Sequence, residues 1–152
     1  MKKALLLFLS ILLLAVPVNA AYFDLKKVDL KDSSGTLLED YSLTSGSAVT
    51  TNWVNVQDNV GFMALEITED QSGGTGDVDI SAEYSWDRTN WFTFAVSNMS
   101  GVITEDGLIA QGFGNDANTI QFTARPAPFV RFIFDPDANS EITVKLIYQK
   151  DN

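Results

Sequence analysis

Four oxygen-bearing side chains lie at alternate positions late in the sequence: Asp135, Asp137, Asn139 and Glu141. Carboxylate and amide oxygens are the ligands that Ca²⁺ prefers, and a flexible loop can wrap around that ion. The central glycine and the later bidentate glutamate of an EF-hand loop are missing from this segment. The pattern therefore predicts either a calcium site formed by these four residues or a hairpin turn built from turn-forming residues.

Three tryptophans, Trp53, Trp86 and Trp91, could stack against the rings of a bound sugar. Trp86 continues the apolar face of an alternating segment, which predicts a position in the core. Trp91 lies on the face opposite to Phe92 and Phe94, which predicts that it is exposed to solvent. We therefore expect Trp91 and Trp53 to be the ligand-binding aromatics. The alternative is that all three tryptophans have a purely structural role.

The composition argues against catalysis and against nucleic-acid binding. The sequence has no His and no Cys, so it offers no Ser–His or Cys–His nucleophile pair. It contains 20 acidic and 10 basic residues, and removal of Lys2 and Lys3 with a leader leaves 8 basic residues and a net charge of −12. Such a charge disfavours nucleic acid and anionic membrane surfaces as partners. No single pair of carboxylates stands out as a glycosidase pair, so we expect no enzyme activity.

The first 20 residues predict a cleavable signal peptide. Lys2 and Lys3 precede an apolar segment, Ala4–Val16, which is shorter than the ~20 residues that a membrane-spanning helix needs. Val18 and Ala20 are small residues at the positions that signal peptidase reads, so cleavage is expected after Ala20. We expect a protein that is secreted, displayed at the cell surface or periplasmic, with no transmembrane segment in the mature chain and no lipid-anchoring cysteine.

The elements that must position these residues are β-strands. In Val78–Trp86 apolar and polar residues alternate strictly, and the turn that follows leads to a second strand, Trp91–Val96, which predicts a hairpin. The segments Phe129–Phe134 and Glu141–Gln149 alternate in the same way. Val60–Thr68 is apolar on both faces, which is typical of a strand at the centre of a sheet.

The mature chain, residues 21–152, has the length of one domain. No stretch holds a helical period over three turns, and many short strands alternate with Gly, Asn, Asp and Ser loops. The sequence therefore predicts an all-β fold with a single antiparallel β-sandwich of jelly-roll or immunoglobulin-like topology.

From Gly76 onward the chain resembles small β-sandwich modules of phage structural proteins and bacterial surface proteins. Those modules contain an alternating strand with Tyr-Ser-x-Asp-Gly-x-x-Trp, which here is Tyr84–Trp91 with Arg88 in place of the glycine. They also contain a proline-rich entry to an apolar strand with an arginine, which here is Ala124–Phe132. The resemblance implies a role in display, adhesion or assembly, and it brings no catalytic residues.

These observations predict a non-catalytic structural or adhesive protein, such as a self-assembling subunit of an extracellular filament or surface layer. Its partners would be further copies of itself or another surface protein. The edge strands of an open sandwich can be paired by another subunit, and Ala21–Leu30 could be exchanged in this way or form the domain's own first strand. The alternative is a carbohydrate-binding module, in which Trp91 and Trp53 would contact a glycan.

Overall fold

The computed structural model describes residues 24–70, 77–93, 96–97, 103–104, 107–113, 117–123 and 127–150. The predicted signal peptide, residues 1–20, and its cleavage site lie outside this part of the chain. The strands in the described part are β1 (Asp24–Asp29), β2 (Tyr41–Leu43), β3 (Val49–Thr50), β4 (Val54–Asn55), β5 (Asn59–Asp70), β6 (Val78–Ser85), β7 (Phe92–Thr93), β8 (Val96–Ser97), β9 (Ile103–Thr104), β10 (Leu108–Phe113), β11 (Ala117–Thr123), β12 (Phe129–Pro136) and β13 (Ser140–Lys150).

The strands form two main antiparallel sheets. The first sheet has the order β1–β13–β5–β11, and β2 also pairs with β13. The second sheet has the order β10–β6–β12–β3, with β4 also paired to β12 and β7 to β6. Strands β8 and β9 pair with each other as a separate ladder. The fold is all-β, with two antiparallel sheets packed together as in a β-sandwich.

The period-two sequence pattern explains why the sheets pack face to face. Successive side chains of a strand point to opposite faces, so each alternating strand buries one row of apolar residues. Phe122 of the first sheet meets Phe132 of the second edge to face, with ring centroids 5.8 Å apart. The central strands bury Met63, Leu65 and Ile67 (β5), Val78, Ile80, Ala82 and Tyr84 (β6), Val130, Phe132 and Phe134 (β12), and Ile142, Val144, Leu146 and Tyr148 (β13).

Two predictions about strand pairing are confirmed. Strand β5, predicted as central from its two-sided apolarity, lies between β13 and β11. The predicted hairpin is present as the pairing of β6 with β7, in which Glu83 opposes Thr93 and Tyr84 opposes Phe92. The paired part of this hairpin is short, because β7 contains only two residues.

The expectation of a hairpin turn over residues 135–141 is wrong. Strand β12 belongs to the second sheet and β13 to the first, so the connection between them crosses the sandwich from one sheet to the other. The backbone N–H of Asp137 donates to the carbonyl of Asp77, which fixes the link beside the start of β6. Alternation identifies the buried face of each strand, but it carries no information about which sheet the strand joins.

The N-terminal segment forms the domain's own edge strand. All six residues of β1 pair with β13, from Asp24 opposite Lys150 to Asp29 opposite Lys145. Its side chains are nearly all exposed, including Leu25 at 66%. The backbone ladder therefore holds this strand more than side-chain burial does. Within the ranges described above, no helical segment has the length and apolar character that crossing a membrane requires.

Candidate functional site

An exposed aromatic pair lies on the outward face of the second sheet. Val54 and Val130 are opposite each other in the ladder, and Val130 is buried, so the neighbouring residues Trp53 and Phe129 point outward. The two rings meet edge to face with their centroids 5.3 Å apart. Trp53 keeps 44% of its surface exposed, and this exposure makes its ring available to a ligand.

The turn between β6 and β7 is held by the carboxylate of Asp87. Its Oδ1 accepts hydrogen bonds from the backbone N–H groups of Thr89 and Asn90, at 2.9 and 2.8 Å. Its Oδ2 accepts from the side-chain amide of Asn90, and the hydroxyl of Ser85 also donates to the carboxylate. Hydrogen bonds from Asn90 and Thr89 hold the pKa of Asp87 well below its usual range. The turn is therefore fixed without any contribution from the side chain of Arg88.

Arg88 extends from this turn across the aromatic pair. Its guanidinium carbon lies 5.1 Å from the ring centroid of Trp53 and 5.4 Å from that of Phe129. Both distances are within the range of cation–π attraction. The backbone of Arg88 has φ 65°, in the left-handed region that glycine adopts easily and other residues rarely do. This is the position at which the resembled sequence pattern has glycine.

A second arginine stacks on a tryptophan on the same face. Arg131 lies two residues after Phe129 on β12, and its guanidinium carbon is 4.3 Å from the ring centroid of Trp91. Its Nε donates to Oε2 of Glu83, the directly opposite residue of β6, at 2.6 Å. Trp91 is only partly exposed. The structure thus places the two predicted ligand-binding tryptophans, Trp53 and Trp91, on one face, with Trp53 the more accessible.

The prediction that Trp86 lies in the core is wrong. Trp86 is 52% exposed and contacts the exposed ring of Phe92 at a centroid distance of 6.1 Å. The apolar alternation of β6 ends at Tyr84, because the strand itself ends at Ser85, which is buried and whose hydroxyl accepts from the N–H groups of the turn. The residue after it therefore leaves the sheet instead of entering the core.

Trp86 and Phe129 line the same open groove at this end of the sandwich. Its volume is about 440 Å³, and its other lining residues are Val56, Gln57, Asn59, Ala127 and Pro128. A surface that combines aromatic and aliphatic walls with a few side-chain amides can stack on apolar ligand faces and hydrogen-bond to hydroxyl groups. We call the residues Trp53, Arg88, Phe129 and Trp86 the aromatic ridge.

No family model, curated protein or solved structure matches this chain. What the protein does must therefore be inferred from its own residues. The aromatic ridge offers stacking surfaces and hydrogen-bond donors, which are groups that bind a ligand.

The four predicted calcium ligands are divided between different parts of the fold. Asp135 lies on β12 opposite Asp79, whereas Glu141 lies on β13 opposite Asp70. Asn139 and Glu141 line one groove, together with Asp70. The amide oxygen of Asn139 already accepts a hydrogen bond from the backbone N–H of Ser45, and the backbone carbonyl of Asp137 accepts from the hydroxyl of the same serine.

Among the described residues, no three carboxylates are grouped closely enough to hold a metal ion. A calcium ion held by Asp135, Asp137, Asn139 and Glu141 stays a prediction of the sequence pattern.

Besides Trp86, which the sequence placed in the core, two further members of the aromatic ridge were not predicted as binding residues. The sequence predicts that Phe129 is the first residue of an apolar strand. The contact of its ring with Trp53 follows only from the pairing of β12 with β4. Arg88 carried a usable signal, since an arginine stood where the resembled turn has glycine. A residue that replaces glycine in a tight turn points to a side chain with a role of its own.

Proposed function

We propose that this chain is a non-catalytic, secreted adhesive module that binds glycans through the aromatic ridge. The observation that carries the proposal is the exposure of Trp53, whose ring meets that of Phe129, and of Trp86, which lines a groove together with Phe129. A ligand at this surface could contact two exposed indole rings and the adjoining groove. Secretion or surface display follows from the predicted signal peptide, and the jelly-roll or immunoglobulin-like topology also belongs to this proposal.

The physical basis is the cost of exposing large aromatic rings to water. A fully buried aromatic side chain contributes roughly 1.5–3 kcal/mol relative to an exposed one. Trp53 and Trp86 give up much of that stabilisation, and each keeps its ring open to solvent. The apolar faces of sugar rings can cover such surfaces, while the exposed side-chain amide of Gln57 in the groove can hydrogen-bond to hydroxyls.

A glycan array probed with the purified mature chain tests this proposal. We expect retention on a defined subset of glycans, and we expect Trp53→Ala and Trp86→Ala to abolish it while the protein stays folded by circular dichroism. Leu25→Ala is the matched control, because it removes an exposed apolar side chain from the first sheet. The proposal would be contradicted if the protein bound no glycan on the array, or if the two tryptophan variants bound glycans as strongly as the wild type.

Self-association through β1 is a second candidate, favoured by the small side-chain burial of that strand. A strand held by its backbone ladder can be replaced by the same strand of a neighbour at little cost. Lys26 and Lys27 on this strand disfavour such an exchange, because charged side chains protect sheet edges from pairing with another chain. Size-exclusion chromatography and negative-stain microscopy, with and without calcium, test this candidate. A strict monomer in all conditions would eliminate it.

A further inference from the structure

We propose that Arg88 makes the aromatic ridge selective for glycans that carry a carboxylate group. This inference rests on the proposed glycan-binding function and names the class of sugar that the site would prefer. It follows from the charge state of Arg88, from its backbone conformation and from its position over Trp53 and Phe129.

The guanidinium of Arg88 has no ion-pair partner among the described residues. Their ion pairs join Lys27 to Glu66, Arg131 to Glu83, Lys145 to Asp29 and Lys150 to Asp58. The adjacent Asp87 does not pair with Arg88, because its oxygens accept hydrogen bonds from Ser85, Thr89 and Asn90. None of the carboxylates in the described part of the chain therefore neutralises this positive charge.

The backbone of Arg88 argues that its side chain has a purpose outside the turn. A residue with a Cβ at φ 65° is less favourable than glycine, which occupies the left-handed region without a steric penalty. The hydrogen bonds of the turn involve Asp87, Ser85 and backbone N–H groups, including that of residue 88 itself, so none of them needs the side chain of Arg88. Strain of this kind in a solvent-facing turn points to a functional side chain.

The position of the guanidinium suits a carboxylate-bearing sugar. Cation–π attraction to Trp53 and Phe129 favours this position of the group, and the planar guanidinium carries several N–H donors. Two such donors match the two oxygens of a carboxylate, and charge-assisted hydrogen bonds of this type are about twice as strong as neutral ones. The ring of the same sugar would lie against the exposed indole of Trp53.

Matched pairs of sugars that differ in the carboxylate test this inference. The mature chain is titrated calorimetrically with oligogalacturonate, oligomannuronate and sialyllactose, each against its own methyl ester, which keeps the sugar and its linkages and removes only the carboxylate charge. We expect at least one acidic sugar to bind roughly tenfold or more tightly than its neutral counterpart, which is the strength of one charge-assisted contact. We also expect that preference to shrink as salt is added.

Three variants separate a role in binding from a role in the fold. Arg88→Gly should remove the preference for the acidic sugar and change the thermal unfolding midpoint only slightly, because the relief of backbone strain and the loss of the cation–π contacts oppose each other. Arg88→Lys should keep part of the preference, since lysine retains the charge without the planar pair of donors. Lys145→Gln is the control for net charge, because it removes a cation from the first sheet, and it should keep the full preference.

The outcomes distinguish this inference from the function on which it rests. Binding of neutral sugars only, or an acidic preference that survives Arg88→Gly, would overturn the role of Arg88 and leave glycan binding intact. Binding of no sugar, acidic or neutral, together with no retention on the glycan array, would overturn both. A lower unfolding midpoint for Arg88→Gly with unchanged binding would show that Arg88 is structural.

Discussion

The outward face of the second sheet carries two arginine–tryptophan stacks that differ in one respect. Arg131 lies over Trp91 and also donates to Glu83, its cross-strand neighbour. Arg88 lies over Trp53 and has no carboxylate partner among the described residues. Both contacts join an arginine to a tryptophan. The charge of Arg131 is balanced by Glu83 within the sheet, whereas no described carboxylate balances the charge of Arg88 on its turn.

The difference shows how the same contact can serve the fold in one place and a ligand in another. The Arg131 side chain is 29% exposed and that of Glu83 is 17% exposed, so each would lose an important partner if the other were removed. Arg88 lies over Trp53 and Phe129 instead, in a left-handed backbone conformation that is unfavourable for a residue other than glycine. We therefore expect loss of Arg131 to affect stability and loss of Arg88 to affect binding.

The largest effect is expected from Arg131→Ala. The variant leaves Glu83 largely buried without its partner and uncovers Trp91, so the free energy of unfolding should fall by about 2 kcal/mol. Urea denaturation followed by tryptophan fluorescence measures the loss. The double variant with Glu83→Ala should recover part of it, since the orphaned carboxylate is gone. A single variant as stable as the wild type would show that this stack is not structural.

Arg88→Gly should change stability less, by no more than about 1 kcal/mol in either direction. Relief of the left-handed strain is of that order, and the loss of exposed cation–π contacts opposes it by about 0.5–1 kcal/mol each. The same urea titration measures the difference. If Arg88→Gly destabilised the protein as much as Arg131→Ala, the contrast between the two stacks would disappear.

A smaller effect is expected from acid, because most hydrogen bonds to the carboxylates involved come from residues of the same turn. Hydrogen bonds from Ser34, Thr36 and Tyr41 lower the pKa of Asp32 to about 2, and the pKa of Asp87 is lowered as well. A carboxylate whose pKa is lowered by folding stabilises the fold at a pH above its pKa in the unfolded chain, about 3.9. That stabilisation disappears as the pH falls through its pKa in the folded protein.

Stability should therefore fall between about pH 4 and pH 2, which a series of thermal melts can follow. The variant Asp87→Asn should show a shallower decline than the wild type, with Asp135→Asn as a control that leaves the turn hydrogen bonds in place. An identical pH profile for Asp87→Asn and the wild type would mean that this turn does not couple to folding.

The smallest effect is expected from calcium. If Asp135, Asp137, Asn139 and Glu141 hold the ion, millimolar calcium should raise the unfolding midpoint by an amount set by the ratio of its concentration to its dissociation constant. Glu141→Gln should remove the shift. Glycan binding should not change, since this segment contributes no residue to the aromatic ridge. A midpoint that does not respond to calcium would end the metal hypothesis.

Much of the fold could be predicted because alternation is a local property. The buried rows of β6, β12 and β13 follow directly from the period-two patterns of their sequences. The assignment of strands to sheets could not be predicted, since the residues between Pro136 and Ser140 suit a hairpin and a crossing link equally well. That choice depends on which distant strands fill the neighbouring positions.

The candidate site was predictable only in part. Trp53 and Trp91 were expected to be the ligand-binding aromatics, and the structure places both on one face, with Trp91 only partly exposed. Trp86 was expected in the core because its alternation with Tyr84 is regular, but the strand ends one residue before it. The meeting of Arg88 with Phe129 joins residues far apart in sequence, and no local pattern reports such a contact.

The crossing link between β12 and β13 has a consequence for how the chain folds. These two strands come last in the order of elements, and each is a central strand of a different sheet. Neither sheet can be completed from the earlier strands alone, and β1 must wait for β13 to pair. Folding should therefore be slow and all-or-none, because the earlier strands lack their pairing partners until β12 and β13 join the two sheets.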